Sequence, residues 1–131
     1  MFLDASAIIA IVAGESDATA LSARLGQARR VTTSPVALWE AAIGLARIGN
    51  IAIVDATMVL ERFLAEVDAT VVAIDAACGR EAIRAFDRFG KGRHPAALNL
   101  GDCFAYACAA LADEPVLCRG DDFPRTDIGI A

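Results

Sequence analysis

Met1-Phe2-Leu3-Asp4-Ala5-Ser6-Ala7-Ile8-Ile9-Ala10 opens the chain, and its reading decides the fold. Met1 to Leu3 is an apolar run that stops abruptly at Asp4, and the residues from Asp4 onward read as a helix start. A buried strand feeding a helix, with a carboxylate at the junction, is how open α/β sheets build ligand sites, in the crevice beyond the carboxyl ends of their strands. Asp4 could cap the helix, or Ser6 could take the cap and leave Asp4 free.

The same alternation continues outward from this stretch. Ser6 to Ala13 gives a short helix, and Ser16-Asp17 caps a second that stops near Gly26. Val31-Thr32-Thr33 is β-prone, and Ser34-Pro35 is an N-cap followed by proline at the first helical position, predicting a helix to Gly49-Asn50. Asp55 caps the next helix, Thr70 to Ile74 reads as a strand, and Asp75 caps a helix to about Phe89. A basic, glycine-rich loop, Gly90 to Pro95, precedes a helix opened by Asn99-Leu100-Gly101-Asp102. Val116 to Cys118 is a further strand, Arg119 to Phe123 a turn, and Asp127 to Ile130 a short edge strand. Strands alternating with helices predict parallel pairing through right-handed crossovers: an α/β fold, a three-layer α/β/α sandwich with a central parallel sheet, over residues 1–131 as one domain.

Composition narrows the chemistry. No uncharged apolar run approaches the roughly 18 residues of a membrane span, and no basic segment precedes the first one, so no membrane role is expected and the chain is placed in the cytoplasm. The four cysteines lack Cys-x-x-Cys spacing and His94 is the single histidine, which argues against zinc and histidine catalysis and for reduced, packed thiols. A net charge of −5 excludes a broad electrostatic grip on nucleic acid and leaves local contact or a basic protein partner.

Oxygen ligands are abundant. Asp4 and the doublet Asp121-Asp122 end strands, although Gly-Asp-Asp is also ordinary turn chemistry. Glu40 shares a helix face with Val36, Ala37, Ile43 and Gly44, so it either snorkels to water or points into a cleft, with Gly44 leaving room beside it. Asp102 stands at capping-box spacing from Asn99. Two strand ends, one helix start and one glutamate on an apolar face can meet at one sheet edge. Carboxylates gathered there repel, and a hard divalent cation, Mg2+ with Mn2+ as a substitute, relieves them.

Phe2-Leu3-Asp4-Ala5-Ser6-Ala7, Ser34 to Glu40, Leu98 to Tyr106, and Leu117 to Phe123 followed by Thr126-Asp127-Ile128 together resemble a PIN-domain ribonuclease, nearest to the VapC-type toxins of bacterial toxin–antitoxin pairs. The resemblance covers the whole chain in order. It implies a Mg2+-dependent endoribonuclease, RNA as substrate, a cognate VapB-like antitoxin as inhibitor, and a homodimer. By position it makes Asp4 and Asp102 the principal metal ligands, Glu40 the third acid and Asp122 the fourth, with Asp121 as an alternative. Ser6 and Thr126 match polar residues that orient ligands. The expected reaction is phosphodiester hydrolysis by metal-activated water, in a one- or two-metal site. Lys91, Arg93 and Arg119 are placed to meet phosphates. A receiver- or phosphatase-like phosphoryl-transfer domain is the rival, disfavoured because Lys91 is the only lysine and no aspartate stands two residues after Asp4. A silent binding module, its acids all caps and turns, is the other.

Overall fold

The computed structural model describes residues 1–131. Four strands, β1 (Phe2–Leu3), β2 (Val31–Thr33), β3 (Ala69–Val71) and β4 (Val116–Leu117), form one sheet in the order β3-β2-β1-β4, all parallel. Six helices connect them: α1 (Ala5–Val12), α2 (Ala18–Leu25), α3 (Pro35–Gly49), α4 (Ile53–Glu66), α5 (Ala76–Phe89) and α6 (Leu100–Ala112). A 3-10 turn, Phe123–Arg125, follows β4. No single helix is long and apolar enough to cross a membrane.

Strand periodicity divides the core. Successive side chains point to opposite faces, so Phe2 and Val116 join a cluster with α5 and α6, while Leu3 and Leu117 join one with α1 to α4. The result is the three-layer α/β/α arrangement expected. Register then aligns the strand ends. Phe2 pairs with Thr32 and Leu3 with Leu117, which brings Asp4, Ser34 and Cys118 to one edge of the sheet.

Several local expectations change. Asp4, not Ser6, caps α1: its carboxylate accepts from the Ser6 backbone N–H. Helix α4 begins at Ile53 after Ala52, with Asp55 inside its first turn rather than at the cap. Asp17 precedes α2 but makes no capping bond; one of its carboxylate oxygens accepts from Arg119 instead. Strand β3 ends at Val71 rather than Ile74, for a topological reason. Its only partner, β2, stops at Thr33, where Ser34 turns the chain into α3; the Val72 N–H to Thr33 carbonyl bond is the last rung. The chain end forms a single parallel bridge, Val116 to Ile130, instead of a full edge strand. All four cysteines are free and buried, as packed thiols should be.

Candidate functional site

Asp4 is the most constrained acid. It is 4 % exposed, and one carboxylate oxygen accepts both the Ser6 N–H at 2.9 Å and the Ser6 hydroxyl at 2.5 Å. Ser6 in turn accepts the Arg119 N–H at 2.9 Å, so the hydroxyl ties the end of β1 to the segment after β4. Burial raises the Asp4 pKa above the usual carboxylate range; the two Ser6 bonds oppose that shift and the negative field of Asp122 adds to it. Its other oxygen accepts from no side chain.

Asp102 is held by a complete capping box. Its carboxylate accepts the Asn99 N–H at 2.8 Å while the Asn99 side chain accepts the Asp102 N–H at 3.1 Å. One oxygen again remains free. Burial pushes its pKa up to about 6, opposed by the Asn99 bond, with Asp4 and Asp122 adding repulsion.

Glu40 leaves the exposed side of α3 and lies against α6. Its carboxylate rests over the bare α-carbon of Gly101, where a Cβ would overlap both oxygens. Gly44 does not make that room; its own open side is filled by Ile9 of α1 and serves helix packing. Desolvation, then the fields of Asp4 and Asp102, push Glu40 up to about 7.

Asp122 and Asp121 separate clearly. Asp122 contributes negative field at both Asp4 and Asp102. Asp121 is 83 % exposed and faces Arg125 at 3.8 Å. The structure therefore brings Asp4, Glu40, Asp102 and Asp122 into one electrostatic neighbourhood and leaves Asp121 outside it. None of the four forms an ion pair with a basic side chain.

The acids do not close on one another. No three His, Cys, Asp or Glu side chains stand at spacing that would hold a metal ion directly. The donor set nevertheless suits a hard divalent cation. It is all oxygen, it keeps a free oxygen on both Asp4 and Asp102, and its repulsion is uncompensated. Such a cation keeps much of its water and needs only one or two carboxylates.

The remaining candidates divide. Thr126 makes no hydrogen bond to the acids; it donates to the Phe123 carbonyl at 2.8 Å and accepts the Ile128 N–H at 3.2 Å, closing the 3-10 turn. Arg119 is bound by Glu15 and, at 2.9 Å, by Asp17, so its guanidinium is committed within the protein rather than offered to phosphate. Arg93 pairs with Asp87 at 3.1 Å. Lys91 is exposed and without an ion-pair partner. His94 accepts the Ala96 N–H and packs on Phe89, a turn role.

Two neighbours of the acids carry no sequence signal of their own. Gly101 is one. Cys118 is the other: burial, then the field of Asp4, pushes its thiol up to about 12, with Asp122 and Asp102 adding to the rise. Only the parallel register that sets Leu117 beside Leu3 places that thiol here.

Comparison with known proteins agrees with this fold. The PIN domain family model matches residues 1–129. Ribonuclease VapC36 of Mycobacterium tuberculosis is 42 % identical over 130 residues, covering 98 % of this chain and 91 % of that protein. Ribonuclease VapC of Mycolicibacterium smegmatis is 36 % identical over 129 residues, 98 % of this chain and 97 % of the relative. The crystal structure of Mycobacterium tuberculosis VapC20, described as a sarcin-ricin loop cleaving toxin, superposes with a TM-score of 0.79 at 17 % identity, over 99 % of this chain and 97 % of that one. A family match over nearly the full length and relatives this similar lead to one assignment: the chain belongs to the PIN domain family, among the VapC ribonucleases.

Proposed function

We propose that the protein is a Mg2+-dependent endoribonuclease, with Mn2+ able to substitute, acting as the toxin of a toxin–antitoxin pair. The observation that carries the reading is the convergence of Asp4, Glu40, Asp102 and Asp122 with no basic side chain to neutralise them. A purely structural acid cluster would be expected to recruit an arginine or lysine, since uncompensated buried charge is costly. Here Arg119 lies beside Ser6 yet binds Glu15 and Asp17 instead.

Asp4 and Asp102 would hold the cation, Asp4 oriented by Ser6 and Asp102 by Asn99. Bound divalent metal supplies charge neutralisation at a scissile phosphate and lowers the pKa of coordinated water. Glu40 holds its proton near neutral pH until compensating charge arrives, and Gly101 lets its carboxylate approach the Asp102 helix. Asp122, at the open side of the site, meets the substrate-facing half. Of the three basic candidates, Lys91 is the one without an ion pair and so the one free to take a flanking RNA phosphate.

A VapB-like antitoxin and a homodimer are the expected partners, and the cytoplasm the expected location. Exposed apolar surface is available for both partners. One groove of about 450 Å³ between α5 and α6 is lined by Ile83, Phe86, Leu100 and Phe104. Another of about 410 Å³ between α3 and α4 is lined by Leu38, Trp39, Ile43 and Ile53.

The test is incubation of the purified chain with total RNA, with Mg2+ or with chelator, followed by mapping of new RNA ends. Discrete Mg2+-dependent cuts that vanish in Asp4→Asn support the enzyme. Unbroken RNA under every metal condition refutes it, and acid-labile phosphorylation of the protein would instead favour the phosphoryl-transfer alternative.

A further inference from the structure

Asp122 is the acid with the least local support. Asp4 and Asp102 each fix themselves by a cap on their own helix, but Asp122 precedes a 3-10 turn and makes no side-chain capping bond. Its position therefore depends on what anchors the chain after it. Phe123 supplies one anchor, buried in the α5–α6 side of the core. The other is polar. Asp127 accepts from the Tyr106 hydroxyl at 2.6 Å with one carboxylate oxygen and from the Arg88 guanidinium at 2.5 Å with the other.

The three residues come from three elements. Arg88 sits at the end of α5 and its guanidinium also packs 4.5 Å from the centre of the Phe89 ring. Tyr106 is 4 % exposed and lies one helical turn after Asp102, on the same face of α6. Asp127 lies beyond the 3-10 turn that Asp122 begins. Hydrogen bonds from Tyr106, then from Arg88, lower the Asp127 pKa, so the carboxylate is ionised and the bonds are charge-assisted. An exposed Arg–Asp pair alone is worth little. The buried tyrosine makes this one directional, because its ring is packed and its hydroxyl has one place to go.

We propose that Asp127, gripped by Tyr106 and Arg88, is a positioning residue that fixes the Asp122 segment against the helix bearing Asp102. The proposal rests on the reading of Asp122 as part of the nuclease site. Its consequence is that Asp122 and Asp102 are coupled through Tyr106 rather than through the sheet.

The experiment uses the full chain and three readouts: backbone amide exchange without metal, Mn2+ affinity by calorimetry without RNA, and RNA cleavage across a Mg2+ series. Tyr106→Phe keeps the ring and removes the bond. It should speed exchange of residues 123–128 about tenfold, the factor that loss of a hydrogen bond to a charged group supplies. Exchange in α1 and α3 should not change. Mn2+ affinity should fall, the Mg2+ midpoint for cleavage should rise about tenfold, and saturating Mg2+ should recover most of the rate. Arg88→Gln, at a half-exposed side chain, should move the same readouts less; Asp127→Asn, keeping one acceptor, should fall between it and Asp127→Ala. Unchanged exchange of residues 123–128 in Tyr106→Phe overturns the proposal, and so does faster exchange with an unmoved Mn2+ affinity. Should the wild type bind Mn2+ but cut no RNA, the nuclease reading fails while weakened Mn2+ binding in Tyr106→Phe still supports the brace. A wild type that binds no Mn2+ sinks both.

Discussion

Asp4 and Asp122 follow neighbouring parallel strands, β1 and β4, at the same edge of the sheet, yet they are built in opposite ways. Asp4 is buried, caps its own helix and shares one oxygen between two Ser6 donors. Asp122 is exposed and stands on a turn whose course is set by Phe123 and by contacts of Asp127 further along. The sheet decides where an acid can be; it does not decide how firmly the acid is held. A metal site made from both kinds has a fixed half and an adjustable half, which suits a centre that must admit a phosphate from one side.

That contrast breaks most easily at Asp4. Asp4→Asn should lower RNA cleavage at least ~10²-fold, the several kcal/mol that metal-assisted charge stabilisation supplies. The asparagine oxygen can still accept from Ser6, and the buried negative charge is gone. Melting of the metal-free protein should therefore stay level or move upward, a loss of activity without a loss of fold. Asp122→Asn should cost less, about tenfold, because an exposed ligand is partly replaceable by water. Asp121→Asn should leave the rate within about twofold, as expected for an exposed residue whose ion pair with Arg125 contributes little. Equal losses at Asp4 and Asp122 would erase the distinction between the two halves; a large loss at Asp121 would reverse the assignment within the doublet.

The fixed half is sharpened by Gly101→Ala. A methyl group there meets the Glu40 carboxylate, and overpacking of this kind costs roughly 1–3 kcal/mol. Unfolding by denaturant should show that loss, and cleavage should fall with it. Glu40→Asp shortens the side chain by one methylene, so adding it to Gly101→Ala should recover stability, a non-additivity expected of residues in contact. Additive losses would mean that Glu40 can simply swing away.

These neighbours also mark how far the sequence could be read. Asp4 and Asp102 were legible because each sits at a local landmark, a strand end and a capping box. The parallel sheet and its three layers followed from strands alternating with helices, but the strand order did not. Glu40 was legible as an acid on an apolar face, but the glycine that accommodates it was not: Gly44 is one turn away on the same helix, whereas Gly101 belongs to a different helix that only tertiary packing brings near. Arg119 looked free for phosphate because nothing local pairs it; Glu15 and Asp17 reach it from the connection between α1 and α2. Thr126 likewise shows a tertiary detail that its motif does not carry, since its hydroxyl closes a turn within its own segment. The end of β3 depended on where its neighbour stopped, which no reading of β3 alone contains.

The smallest effect tests the repulsion on which the metal reading depends. In the folded, metal-free protein Glu40 is pushed up to about 7 and Asp102 to about 6, by burial first and neighbouring acids second. Both bind protons more tightly folded than unfolded, so folding takes up protons as pH falls through this range and stability must rise. The gain begins near pH 7 and ends near 4.5 for Glu40 and 3.8 for Asp102, where the unfolded chain protonates too. Between pH 7.5 and 5.5 in chelator, melting should climb by about 3 °C, the shift of roughly 1 kcal/mol in a domain of this length, once the half of Glu40 still reached by water is discounted. The lowered Asp127 group works the other way but only below 3.8, outside the window. Glu40→Gln should reduce the slope but not abolish it, because Asp102 and the buried Asp4, both also raised, remain. Millimolar Mg2+ should raise melting at pH 7.5 and flatten the climb, because cation and proton compensate the same charge. A melting temperature indifferent to both pH and Mg2+ would mean that the four carboxylates do not feel one another, and the adjustable half would then have no fixed half to work against.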